Sequence, residues 1–204
     1  MDYFCQMYRE GQIDAKSYEK IAEVLFHLKD NGYGFVDVIG GGSFGYVIKV
    51  ESATSGYKMA VKIVSANHAS KGETELWSTL KHDNILRLIS SEYVYHAQSY
   101  LFFTEVHPTT LEDESMERIL GVDPDALDEA INWLRDIVDA VCYLHDRGLA
   151  HLDLKSNNVL ISEDRKAILM DFGFLKRCEK LIERYLFTVF YLHEFISQNK
   201  NEHR

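Results

Sequence analysis

The sequence predicts an α+β fold in two lobes: a small, mostly antiparallel β lobe with one short helix, then a helical lobe. Three observations carry that reading. β-branched and aromatic runs separated by short turns crowd residues 34–64, the pattern of a strand meander. A long stretch at 124–144 repeats its apolar residues at helical spacing. Two short apolar runs, Val159–Ile161 and Ala167–Met170, flank a polar turn at Ser162–Lys166.

Residues 1–16 are polar and mixed in sign, and are expected to be a loosely held lead-in. A helix is predicted from Ser17, the candidate N-cap, with Ile21, Val24, Leu25 and Leu28 on one face. Asp30-Asn31-Gly32 is its expected stop, with glycine as the left-handed cap. Together residues 1–33 read as an N-terminal extension.

Strands are predicted at Gly34–Ile39, Tyr46–Val50 and Lys58–Val64, with a turn at Ser55-Gly56, then a short helix over Lys71–Leu80. Further strands are expected at Leu86–Ser90 and Tyr100–Thr104, which closes the first lobe at 34–106. Beyond the boundary near His107-Pro108, Leu111–Leu120 is a weaker helix candidate. Pro124–Leu144 is the stronger one, with Ile131, Leu134, Val138 and Val141 as its stripe and Asp146-Arg147-Gly148 as its stop. This partial second lobe runs over 107–176, and 177–204 is an atypical tail.

The 204 residues are 46% hydrophobic and 26% charged, with two prolines, which excludes a collagen-like or wholly disordered chain. A net charge of −10 argues against nucleic-acid or anionic-membrane partners. Cys5, Cys142 and Cys178 stand far apart, in no metal-ligand pairing, as expected of free thiols in a reducing compartment. The N-terminus lacks a basic segment followed by an apolar one, so no secretory signal is read there. The longest apolar run, Tyr185–Leu192, is too short to span a bilayer. A cytoplasmic or nuclear location is the expectation.

Four motifs carry chemistry. Gly40-Gly41-Gly42-Ser43-Phe44-Gly45-Tyr46-Val47 places Gly40, Gly42 and Gly45 between two strands, where bare backbone amides can approach phosphate oxygens. The following segment is a strand and not a helix, so a dinucleotide fold is disfavoured. Lys62, amid Val61 and Ile63 on the third strand, needs an anion to offset desolvation. Glu73 and Glu75 are candidate partners. His151-Leu152-Asp153-Leu154-Lys155-Ser156-Asn157-Asn158 packs acid, base and amide into one loop. Asp153 with Lys155 suits taking a proton from a hydroxyl beside a stabilised phosphoryl group, and the Asn158 carbonyl suits a hard cation. Asp171-Phe172-Gly173 puts a carboxylate at a strand end, thirteen residues after Asn158.

In order and spacing these motifs resemble the eukaryotic protein kinase family, over about residues 34–176. The resemblance implies ATP and Mg²⁺ as cofactors. It implies that Gly40, Gly42 and Gly45 cover the phosphates, and that Lys62 holds the α/β-phosphates and pairs with Glu73. Asp153 would be the catalytic base, Lys155 would contact the γ-phosphate, and Asn158 and Asp171 would hold the metal. Ile39, Val47, Ala60 and Leu160 would enclose adenine, backbone groups of Glu105 and His107 would bond its edge, and Thr104 looks like the gatekeeper. Lys155-Ser156 looks like the Ser/Thr branch.

Three departures stand out. Leu152 takes the place of the usual arginine of the His-Arg-Asp string, which argues against control by activation-loop phosphorylation. Lys62 and Glu73 are only eleven positions apart, which predicts a short helix and a weakened pair. Only 31 residues follow Gly173, without an Ala-Pro-Glu string, so the helical lobe is expected to be incomplete and the chain a truncated kinase. The tail from Leu181 to Ile196 is expected either to cover the flank of the 124–144 helix or to be exposed and aggregation-prone. Expected partners are ATP and a protein, either a substrate or another kinase. The alternative function is a catalytically weak kinase-like module that docks on such a partner.

Overall fold

A five-stranded antiparallel sheet and a helix-and-hairpin assembly organise the chain, seen in a computed structural model that describes residues 2–42, 45–114 and 126–178. Ser43 and Phe44, most of the 111–120 helix candidate, the 124–125 start of the longer helix and the tail from 179 lie outside the described residues. The chain divides into two units. One comprises Met1–Ala69 with Leu88–Val106, the other Ser70–Arg87 with His107–Arg204.

In the first unit the strands are β1 (Tyr33–Gly42), β2 (Gly45–Ser52), β3 (Lys58–Ser65), β4 (Leu88–Val94) and β5 (Ser99–Glu105), in the order β1-β2-β3-β5-β4. The first three form the expected meander, and Gly56 adopts a left-handed φ of 68° in the β2–β3 turn. β4 departs to the edge and β5 returns between it and β3. The predicted strand at 86–90 begins two residues later because Leu86 is drawn into the second unit. Its amide donates to the Leu169 carbonyl at 2.9 Å, and its carbonyl accepts from Trp77 Nε1 at 2.7 Å.

One sheet face is roofed by α1 (Asp2–Arg9) and α2 (Ala15–Asp30). The expectation of a loose lead-in is corrected: Phe4 on α1 is fully buried, edge-on to Tyr46 at 5.5 Å between centroids. With Tyr8 stacked on Tyr18 at 5.1 Å and Cys5 Sγ 3.1 Å from the Tyr18 hydroxyl, it ties down a helix too short to announce itself by periodicity. Ser17 is also not the N-cap of α2. Asp14 Oδ1 accepts the Ser17 amide at 2.7 Å, and this hydrogen bond holds its carboxyl below the usual pKa. Ile21, Val24 and Leu28 are buried as their spacing predicts, and join Ile48, Val50, Val61, Ile63, Leu101 and Phe103 in one core. The helix ends at Asn31, with Gly32 at φ 82°.

In the second unit the predicted helix over 71–80 is two tight turns, a π-helical one at Gly72–Leu76 and a 3₁₀ turn at Trp77–Thr79. α3 (Ala126–Asp146) packs Trp133, Ala140 and Leu144 beside the hairpin of β8 (Val159–Ile161) and β9 (Ala167–Leu169). Trp133 Nε1 donates to the Arg165 carbonyl at 2.9 Å, and Asp136 Oδ2 accepts the Ala167 amide at 2.9 Å. The Arg165 side chain pairs with Glu129 and, at 2.6 Å, with Glu114. The stripe read from the sequence is therefore not the buried one. Val141 is buried, but Ile131, Leu134 and Val138 are 40%, 43% and 42% exposed. The helix has two apolar faces, and the hairpin takes the one bearing the tryptophan. Short pairs complete the unit: β6 (Thr109–Thr110) with β8, and β7 (Leu149–Ala150) with β10 (Lys176–Arg177). Among the described residues no helix is long and apolar enough to cross a membrane.

Candidate functional site

In the first unit, strand register decides which side chains share a face. Val47 pairs with Lys62 and Lys62 with Phe102, while Ala60 pairs with Thr104. Because side chains alternate, Val47, Ala60, Lys62 and Thr104 lie on the face opposite Ile48, Val61 and Phe103, which pack under the helices. Gly40 faces Val47 across the β1–β2 ladder, and Gly42 faces Gly45. Ile39 sits at a register shift between Val38 and Gly40 and is exposed. Gly45 has a φ of 151°, and a Cβ there would stand 1.9 Å from the Ile63 carbonyl oxygen, so no other residue fits. Glu105 closes β5, with its carbonyl accepting the Thr104 hydroxyl at 3.2 Å.

In the second unit the chain reverses between β7 and β8 through the acid-and-amide loop. Asp153 Oδ2 accepts from Lys155 Nζ at 2.8 Å and from Asn158 Nδ2 at 2.7 Å, and the same amide donates to the Asp153 carbonyl at 2.8 Å. Asn158 is buried in the 3₁₀ turn Ser156–Asn158, and its own carbonyl accepts the Met170 amide at 2.9 Å. That backbone bond sets Asp171 one residue from the Asn158 level. Asp171 has a left-handed φ of 63°, with Oδ1 accepting the Gly173 amide at 3.4 Å. Leu160 lies on β8, half-buried, and His107 begins the long segment of this unit.

His151 joins these pieces. It is buried, with Nε2 2.9 Å from the Met170 carbonyl and Nδ1 3.3 Å from the Asp153 amide. A carbonyl can only accept and an amide can only donate, so Nε2 carries the proton and the ring is neutral. Burial pushes its pKa below the ordinary histidine value, in keeping with that tautomer. Phe172 is fully buried between His151 and Trp77, at 5.5 and 5.3 Å between centroids. Leu152, at φ 67°, occupies a left-handed conformation that costs a leucine on the order of 1 kcal/mol.

Glu73 is buried at the start of the π turn. Its Oε2 accepts the Ser70 amide at 3.3 Å while Ser70 Oγ accepts the Glu73 amide at 3.2 Å. This reciprocal pair is a capping box, legible in the Ser70-x-x-Glu73 spacing and missed in the sequence reading. The link of Ser156 to Glu112 and the roles of His151 and Trp77 were missed as well. They depend on partners far away in the chain.

The donors suit a divalent cation. Asn158 commits both amide hydrogens to Asp153, which leaves its carbonyl oxygen, and Asp171 adds a carboxylate one step along: hard oxygens of the kind magnesium takes. Among the described residues no cluster of three His, Cys, Asp or Glu competes as a metal site.

A glycine turn, a strand lysine and this acid–amide loop are features that protein kinases share. The chain belongs to the protein kinase family, whose protein kinase domain model matches residues 33–203. It is 32% identical over 163 residues to the maternal embryonic leucine zipper kinase of Xenopus tropicalis, covering 76% of this chain and 24% of that protein. It is 33% identical over 158 residues to a putative ribosomal protein S6 kinase alpha-2 of Caenorhabditis elegans, covering 74% and 20%. With a calcium/calmodulin-dependent protein kinase type 1 of Caenorhabditis briggsae the figures are 32% over 155 residues, 71% and 42%. The matched stretch thus spans between a fifth and about two fifths of these relatives. The family as a whole uses ATP with a divalent metal.

Proposed function

We propose that the chain binds ATP with Mg²⁺ and transfers the γ-phosphoryl group to a serine or threonine hydroxyl of a protein, inside the cell. The observation that carries this reading is the Asp153 carboxylate held at once by Lys155 and Asn158, with Asp171 set beside Asn158 through the Met170 amide.

Each residue has a task. Gly40, Gly42 and Gly45 offer backbone amides to the phosphates, and Lys62 neutralises the α- and β-phosphates with Glu73 as its counterion. Ile39, Val47, Ala60 and Leu160 supply apolar surface for adenine, and backbone groups of Glu105 and His107 bond its edge. Asn158 pins Asp153 so that its free oxygen faces the incoming hydroxyl, accepts its proton and orients the attacking oxygen. Lys155 steadies the same carboxylate and meets charge on the transferred group. Asn158 and Asp171 hold the cation, which when bound neutralises charge building on the phosphoryl oxygens.

The test pairs a thermal shift with ATP and Mg²⁺ against radiolabelled transfer to protein acceptors, in the unaltered chain and in Asp153→Asn. The expected result is a nucleotide-dependent shift in both and transfer only in the former. A shift in both with no Asp153-dependent transfer would select the second reading, a kinase-like module that docks on a partner kinase or its substrate. That reading draws on Leu152, which removes a charge from the loop, and on the bare apolar stripe of α3. No shift in either would end both readings.

A further inference from the structure

The outer face of α3 carries four exposed apolar side chains in steps of four, three and four: Leu127 at 70% exposure, then Ile131, Leu134 and Val138. This is the heptad rhythm of a helix that seats on another helix. Val141, the next residue in the series, is buried and ends the open stretch. The buried Trp133, Ala140 and Leu144 lie roughly 130° around the helix from this seam, at about 100° per residue, so the β8–β9 hairpin serves a different face.

The four residues are symmetric about a point midway between Ile131 and Leu134. When a second copy of α3 is turned end for end, the series meets itself. Ile131 of each copy lies on Leu134 of the other, and Leu127 of each on Val138 of the other. Every layer occurs twice, so a single two-fold axis closes the contact and leaves no apolar step unmatched. The open stretch is about 16 Å long.

The charges beside the seam favour the same arrangement. Asp128 and Arg135, both exposed, flank one side of it. In the antiparallel pair, Arg135 of one copy stands between the same two layers as Asp128 of the other, so an opposite-charge pair forms twice. The Arg135 guanidinium donates within its own helix to Asn132 Oδ1 at 3.2 Å and keeps further N–H groups for a carboxylate. Ala130 and Ile137 flank the other side, and the same symmetry sets them against each other. A parallel pair would instead set Arg135 beside the uncharged Ala130.

We propose that two copies of this chain associate through antiparallel α3 helices, with the Ile131–Leu134 layers at the centre and Arg135 of each copy facing Asp128 of the other. The association is weak and reversible, as befits a contact of four apolar side chains on each copy. It requires neither nucleotide nor the transfer reaction.

Sedimentation equilibrium of the full chain, from about 10 µM to about 1 mM, should show a reversible exchange between monomer and dimer. A chain that stays monomeric throughout overturns the proposal and leaves the face to a different protein or to another part of the same chain. Charge exchange then tests the register, on exposed side chains whose replacement leaves the core untouched. Arg135→Asp alone and Asp128→Arg alone should each weaken the dimer at least about tenfold, because each sets two like-charge pairs across the seam. Combining Arg135→Asp with Asp128→Arg should restore the dimer to within about threefold of the unaltered chain. Single variants that dimerise normally, or a double variant that stays as weak as the singles, would overturn the antiparallel pairing.

Discussion

His151 Nε2 lies 2.9 Å from the Met170 carbonyl oxygen while Nδ1 of the same ring receives the Asp153 amide at 3.3 Å, so one neutral imidazole ties the acid-bearing loop to the strand end that presents Asp171. Protonating Nδ1 would remove the acceptor that faces the Asp153 amide and place a charge in a buried site.

From this follows a pH dependence. The folded-state pKa of His151 lies below its unfolded value of about 6.5, so the unfolded chain binds the extra proton first. The stabilising contribution is complete above about pH 6.5 and falls as pH drops through that range toward the folded pKa. Urea unfolding from pH 8 to 5 should show stability declining with acid, and His151→Gln should flatten the slope while lowering stability at pH 8. An equal slope in both would refute the assignment.

Gly72 is irreplaceable for a reason unrelated to nucleotides. A Cβ at this position would meet the Phe172 carbonyl oxygen at 2.2 Å and the Leu175 carbonyl oxygen at 2.8 Å, both rigid backbone. Gly72→Ala should therefore cost about 1–3 kcal/mol in chemical denaturation. Gly32→Ala is a useful contrast. It has open space but a left-handed φ, so its cost comes from strain alone.

Phe4→Ala should cost about 3–5 kcal/mol, the cost of emptying a buried phenylalanine site. A loss below 1 kcal/mol, measured by the shift in urea midpoint, would mean that α1 is not part of the core.

Asn158→Ala removes one bond to the Asp153 carboxylate and one to its backbone carbonyl, together with one proposed metal oxygen. If the proposed transfer activity is present, the magnesium concentration giving half-maximal rate should rise by roughly 10–100-fold. An unchanged requirement would remove Asn158 from the cation site.

How much of this could be read in the sequence depended on the range of the interactions. The loop of Asp153, Lys155 and Asn158 was legible because its partners lie within five residues, so spacing alone nearly fixes their contacts. The strands around Lys62 were legible because alternation is local too. The 71–80 segment was read as a regular helix because its propensities suggest one. Instead the segment winds as a π turn, whose first residue, Gly72, lies against the Phe172 and Leu175 carbonyls. On α3 both faces are apolar, and periodicity cannot say which one the hairpin will take. Trp133 decided it, through a hydrogen bond to a carbonyl thirty-two residues away. α1 escaped notice because what holds it, Phe4 in the core and Tyr8 on Tyr18, depends on partners elsewhere in the chain.

Kinship and folding draw different borders on this chain. The family match opens at residue 33, yet Phe4, Ile13, Ile21, Val24 and Leu28 sit in the same buried cluster as the strands of the sheet. A polypeptide begun at Tyr33 would keep every residue that defines the family and still lose the roof of its first unit, leaving Ile48, Val61 and Leu101 wetted. The residues from Phe4 to Leu28 therefore belong to the folded core of the first unit, ahead of the point where its ancestry becomes recognisable.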